Sequence, residues 1–279
     1  MFARVERSWN LIKASAAVLR SDKELLLFPV LSAGASLLLI LSFALPLVGV
    51  RAFADGAEPS PAMLAVGFAF YFSQYFITIF FNAALVAAAM IRLQGGDPTV
   101  GDGLRAAWQR IGVIAGYAVL AATVGMVLRA VEERVGLLGR IVASLVGVAW
   151  TVATYLVVPV LVVRNVGPLD AVRDSAALFK RTWGENLIGN GGIGVVFVML
   201  NLLLVAAGVF TVMATVSAGL PSLALMLAVV FVLLLVFSVL VQSSLSGVYS
   251  AVLYRYASVG HAPGGFDQAL LAGAFVPKR

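Results

Sequence analysis

The chain has 279 residues, of which 62% are hydrophobic and only 11% charged, and its mean hydropathy is +1.04. An ordinary soluble surface needs roughly 25% charged residues, so this composition excludes one and defines an integral membrane protein. The net charge of +6 flanks apolar runs instead of forming one basic domain, which argues against a nucleic-acid partner, and the absence of Cys excludes disulfides and thiolate metal sites.

Residues 1–24 are too polar to enter the hydrocarbon. Phe2, Val5, Trp9, Ile12, Ala16 and Leu19 nevertheless fall on one helical face, with Arg4, Arg7, Lys13 and Arg20 mostly off it. That segment lies either along an anionic membrane surface or on the protein's own ends. A first span is expected over about residues 25–50. Ala52-Phe53-Ala54 resembles a signal-peptidase site, but the apolar run before it is too long and the helix is read as uncleaved. The second span, about 62–91, is aromatic in its first half and ends in the Ala-rich AALVAAAM, which permits close helix approach.

Residues 92–110 break at Gly95-Gly96 and Pro98 before a short apolar face that includes Trp108. The third span, about 111–128, opens with Gly112 and Gly116 in GxxxG spacing, a packing surface in expectation. The fourth covers about 141–163 with Pro159 near its end, and the stretch RNVGPLDAVRDSAALFKRTWGEN leads from it to the fifth, about 187–216. IGNGGIG at the start of that span is not a dinucleotide fingerprint, because no strand precedes it. The sixth apolar run reaches about residue 254, far longer than the bilayer is thick, so it must tilt, kink or project.

Fifteen of the 19 Lys and Arg fall in the two termini and the loops on their side if both ends are cytoplasmic. The positive-inside rule then orients six spans with both termini in. The even-numbered spans end alike, in AAMIRLQGGDPTVGDGL, VLVVRNVGPLDAVRDSA and AVLYRYASVGHAPGGFDQAL. Each places an Arg at the exit (Arg92, Arg164, Arg255), then Gly and Pro, then an amphipathic segment. The expected fold is therefore all-α: one membrane domain, 1–279, of six transmembrane helices built as three direct hairpin repeats, each preceded by a cytoplasmic amphipathic helix. The repeat units are about 1–91, 92–163 and 164–256, with a tail at 257–279.

SWNLIKASAAVLRSDKELLLFPVLS and VVPVLVVRNVGPLDAVRDSAALFKRTWGENL resemble an uncharacterised bacterial and archaeal family of six-helix membrane proteins known as a domain of unknown function. The chain is also similar to the wider group of membrane domains that includes the one fused to some glycerophosphodiester phosphodiesterases. The resemblance implies a six-helix protein of the bacterial or archaeal cytoplasmic membrane and brings no catalytic residue.

None of the six spans so bounded contains Asp, Glu, Lys, Arg or His, which weighs against an ion-coupled pump. The sole His, His261, makes no triad or zinc site alone. Asp97 and Asp102 lack EF-hand spacing and read as turn and cap residues, and Glu132-Glu133 reads as a surface turn neutralised by Arg129 and Arg134. No catalytic, metal-binding or cofactor-binding residue is expected, and no cofactor.

Two residue sets remain. Arg4, Arg7, Trp9, Lys13, Arg92, Arg105, Trp108, Arg110, Arg164, Arg173, Lys180, Arg181, Trp183 and Arg255 are candidates for gripping the membrane surface or anionic lipid headgroups. Asn82 and Thr154 each lie ten residues before an exit Arg, with Gln242 and Ser244 similarly placed, so a polar layer near the midplane is expected, supplemented by Gln74, Asn190 and Asn201. It serves either interhelical hydrogen bonding or a hydrated path or headgroup cavity. The expected function is a non-enzymatic membrane scaffold or lipid-organising protein whose partners are membrane lipids, with a further copy or another protein as an open possibility. The alternative is a channel or uncoupled carrier.

Overall fold

A computed structural model describes residues 16–49, 61–183 and 192–259, with 45–49, 134, 137–138, 181–183, 192–193, 256 and 259 in backbone only. Among the expected site residues, Arg4, Arg7, Trp9 and Lys13 and the side chains of Arg181 and Trp183 lie outside this description, as do Ala52-Phe53-Ala54, Asn190 and His261.

The described residues are helical apart from short turns, without a strand. After a helical stretch at 16–21 and a 3-10 turn at Lys23–Leu26 come α1 (Leu27–Gly49), α2 (Pro61–Leu93), α3 (Val100–Gln109), α4 (Ile111–Arg134) and α5 (Leu137–Ala153). They are followed by α6 (Val157–Val163), α7 (Pro168–Trp183), α8 (Gly192–Ser217) and α9 (Pro221–Val259). Among the described residues, six stretches are long and apolar enough to cross a membrane: Lys23–Ala44, Pro61–Leu93, Ile111–Glu133, Gly139–Val163, Gly194–Ser217 and Pro221–Arg255.

Two helices stop at glycine for a steric reason. Gly95 (φ +86°) and Gly219 (φ +76°) take the left-handed conformation that lets the backbone satisfy the last carbonyls. Gly96 N–H donates to the Ile91 carbonyl at 3.0 Å and Leu220 N–H to that of Thr215 at 3.0 Å. The second turn folds α9 back along α8, so closely that a Cβ on Gly208 would lie 3.0 Å from Phe231.

The fourth span, expected over about 141–163, is present at Gly139–Val163 and is interrupted within. Helix α5 stops at Ala153 and α6 starts at Val157. Pro159 has no N–H, and its ring collides with the carbonyl four residues back, at Tyr155, so the helix opens one turn before the proline. The GxxxG expectation is half met. A Cβ on Gly112 would meet nothing within 4 Å, whereas one on Gly116 would lie 2.7 Å from Cγ of Pro168, the first residue of α7. The contact is helix flank to helix start, not two helices crossing.

Helix α2 is the hub: α1, α3, α4, α6 and α9 all pack on it. Its alanine run is the reason. Ala83, Ala84, Ala88 and Ala89 are essentially fully buried, and so small a surface lets neighbouring backbones close in. Burial gathers at one end of the molecule, where these alanines meet Leu25 and Phe28, Ala107 of α3, Ile114 of α4, Leu156–Leu161 around α6, Ala171 of α7 and Leu245–Tyr254 of α9. This knot is where the candidate residues lie. Away from it, α8 packs chiefly on α9, and both expose large apolar side chains along their length.

Candidate functional site

The first joint is built around the start of α3. Thr99 caps it: its Oγ1 accepts the Asp102 N–H at 3.2 Å, while Asp102 Oδ2 accepts the Thr99 N–H at 3.0 Å. The Thr99 side chain and backbone thus hold the Asp102 carboxyl below the usual carboxylate range. Glu24 Oε2, from before α1, accepts the next free N–H, that of Val100, at 2.9 Å. A carboxylate there also meets the positive end of the helix dipole. Arg92 is paired with Asp97 at 3.1 Å. The two aspartates considered for a cation are thus engaged by a capping box and an ion pair, and no group of three or more potential metal ligands occurs among the described residues.

Asp22 sits inside this joint, buried, with Oδ2 lacking a hydrogen-bond partner among the described residues. Burial pushes its carboxyl above the ordinary 3.8, against the pull of the Glu24 backbone and Arg92. In an unfolded chain the group ionises earlier, so folding loses stability as pH rises through the folded value and keeps it below the unfolded one. Asp22→Asn is therefore expected to raise the melting temperature at neutral pH, with the gain shrinking as pH falls into the carboxylate range. Thermal melts of both proteins across that range check it; a gain independent of pH would refute the assignment.

Helix α3 turns Gly103 and Ala107 inward and leaves Arg105 and Trp108 outside, with Arg110 half-buried. Trp108, 66% exposed, still meets Phe80 of α2 edge-on at 6.4 Å between ring centres.

The second joint joins α6 to α7. Arg164 Nη1 donates to Asp174 at 2.6 Å and lies beside the Tyr254 hydroxyl, contacts that raise its guanidinium pKa further. Arg110 donates to Asn165, tying the end of α3 to this corner. Helix α7 then runs back along α6. Ser175, fully buried, accepts the Leu156 N–H at 3.0 Å, one of the groups that the proline break leaves free. Tyr155 and Phe179 meet edge-on at 6.4 Å. Arg173 and Lys180 are on the exposed side. Arg255, the third exit arginine, differs from the other two: its Nη1 is buried without a hydrogen-bond partner among the described residues.

Asn82, Thr154, Gln242 and Ser244 are not hydrogen-bonded to one another. Thr154 Oγ1 donates to the Trp150 carbonyl at 2.8 Å and Ser244 Oγ to that of Leu240 at 3.1 Å, each within or at the end of its own helix. Asn82 faces α9, where a Cβ on Gly247 would lie 3.4 Å from its Oδ1. Gln74 does pair between helices, donating to Ser36 Oγ at 2.9 Å. The Tyr117 hydroxyl stands beside Thr154, with Tyr75 nearby. These tyrosines are polar groups that the sequence did not single out; their spacing on α2 and α4 carries no signal of the meeting.

Six helices of spanning length around a buried, small-residue knot define a multi-pass, all-helical membrane protein. Residues 61–265 match DUF6159, a family of unknown function, and the chain belongs to that family. No curated protein and no solved structure matches it.

Proposed function

We propose that this protein is a non-enzymatic, lipid-organising scaffold that grips the anionic headgroups of one leaflet. The observation that carries the reading is the two-sidedness of α3 and α7. Gly103, Ala107, Ala171 and Ser175 are held in the knot, while Arg105, Trp108, Arg173 and Lys180 face outward. Exposed cations near a membrane surface gain roughly 1 kcal/mol each from anionic lipid, and an indole favours the headgroup level. In the same reading the spans form three direct hairpin repeats in a bacterial or archaeal cytoplasmic membrane, with both termini inside. The pairwise packing of α1 with α2, α4 with α5 and α8 with α9 supports the repeat, as does the meeting of α2, α6 and α9 at their exits. A kinship with the membrane domains fused to glycerophosphodiesterases belongs to this reading too.

The test uses the purified full chain in nanodiscs of mixed neutral and anionic phospholipid. Anionic lipid is expected to be enriched among the molecules co-purifying with it, and Arg105→Gln/Arg173→Gln/Lys180→Gln to remove the enrichment. Equal retention of neutral lipid would overturn the proposal. A channel or uncoupled carrier is the second reading, favoured by the Tyr75, Tyr117 and Thr154 hydroxyls gathered within the bundle; solute flux in liposomes is its test, and tight vesicles would exclude it.

A further inference from the structure

The sequence alone sets the basic-side edge of the membrane at the exit arginines, but the packing provides a different ruler. Gln74 bonds Ser36, and Phe70 meets Phe43 at 5.4 Å, so α1 and α2 run antiparallel. Phe28 and the Ala84 carbonyl both press on Gly103, which puts Phe28 level with Ala84. On the α4 side, Gly125 lies against the Tyr75 hydroxyl, so the antiparallel register brings Tyr117 level with Ala83, and Tyr117 stands beside Thr154. Gly247 of α9 abuts Leu85 and Asn82. Phe28, Asn82, Tyr117, Thr154 and Gly247 thus share one level.

From that level to their far ends, α1 and α2 measure ~33 Å, α4 ~27 Å and α9 ~40 Å, at about 1.5 Å per residue. These lengths bracket a hydrocarbon thickness of about 30 Å, allowing for tilt. Measured to Arg92 and Arg255 instead, α2 and α9 would need ~48 and ~52 Å.

Three independent features agree. The exposed large apolar side chains of α9 run from Leu223 to Val239 and stop, and Leu245–Tyr254 is then buried in protein. On α7, Ser175 meets Leu156, which lies ~12 Å below Arg164 along the chain at helical rise. With the edge at Arg164, the exposed Lys180, further along α7 than Ser175, would sit in hydrocarbon, where a charge costs at least about 2.5 kcal/mol. Trp108, exposed yet touching Phe80, sits where an interfacial indole belongs.

We propose that the phospholipid headgroup layer on the basic side meets the protein at the level of Phe28, Asn82, Tyr117, Thr154 and Gly247. The knot beyond it, made of α3, α6, α7 and the ends of α2 and α9, is a collar standing in headgroups and water. Asn82 and Thr154 then mark the edge of the hydrocarbon and not its midplane, and the Arg92–Asp97 and Arg164–Asp174 pairs need not be bilayer-buried. This concerns depth alone and stands whether or not the scaffold reading does.

Because the chain has no Cys, single-cysteine variants report without background. Ala177→Cys and Lys180→Cys replace exposed residues at or past the Leu156 level; Gln94→Cys is an exposed reference beyond α2, and Val239→Cys an exposed apolar one on α9. In membrane vesicles opened to a membrane-impermeant maleimide on both sides, A177C and K180C are expected to label as readily as Q94C, with loss of labelling at V239C. Protection of A177C and K180C to the extent of V239C would overturn the proposal. A second readout needs no cysteine: with Trp9, Trp150 and Trp183 replaced by Phe, Trp108 fluorescence is expected to be quenched more by headgroup-level quenchers than by quenchers at the acyl-chain ends. The reverse order would overturn it.

Discussion

Gly103→Ala is expected to destabilise the folded protein by about 1–3 kcal/mol, and Gly103→Val by more, because the site has no room for a side chain. An added Cβ would lie 2.6 Å from the Ala84 carbonyl oxygen and 2.6 Å from Cζ of Phe28. Phe28 is itself almost fully buried, and the Ala84 carbonyl belongs to the backbone of the hub helix, so neither neighbour yields easily. The strain would reach three elements together: the start of α1, the alanine run of α2 and α3. Gly112→Ala is the matched control. Nothing lies within 4 Å of its added Cβ, and its place in the first turn of α4 makes a small gain from helix propensity the expected result. Thermal unfolding in detergent, followed by loss of monodisperse protein, checks both; equal melting temperatures for the two variants would contradict the packing described.

The second large effect concerns the broken span. Ser175→Ala removes the buried acceptor of the Leu156 N–H, and a buried donor left unpaired costs about 1–3 kcal/mol. Pro159→Ala removes the ring that opens the helix, so residues 155–159 can close into regular α-helix, in which the Leu156 N–H finds the Val152 carbonyl. Ser175→Ala should then cost less in the Pro159→Ala background than in the natural chain. Additive losses across the double-mutant cycle would mean that Ser175 stabilises the knot by packing alone.

The number and approximate limits of the six long apolar helices were legible because hydrophobic length is a local property, and α3 and α7 were legible from their spacing of apolar and basic residues. What escaped depends on residues distant in sequence. Pro159 was visible, but a proline can kink a helix or break it, and the break persists here beside a serine 19 residues further on that takes the freed N–H. Gly112 and Gly116 look equivalent in the sequence, yet only Gly116 has a neighbour, and that neighbour is Pro168. The basic and polar candidates divide likewise. Lys180 is exposed, Arg105 and Arg173 are exposed while each pairs with an aspartate one turn away on its own helix, Arg92 and Arg164 are held by aspartates within their joints, and the role of Thr154 follows from a helix end and a tyrosine on α4 that no pattern around Thr154 announces.

The knot draws on Leu25 and Phe28 from the start of the described residues and on Leu245–Tyr254 from their end, with α2, α3, α4, α6 and α7 each contributing a piece. During synthesis, then, the hub alanines of α2 are made early and wait for α9 to cover them. Until more than 240 residues have been threaded into the membrane, one side of that small-residue surface has no permanent neighbour, and a chain stopped after α8 would present it to whatever helix or quality-control protease comes near. Closure of the bundle is thereby deferred until α9 has been made, long after the hub helix that it covers.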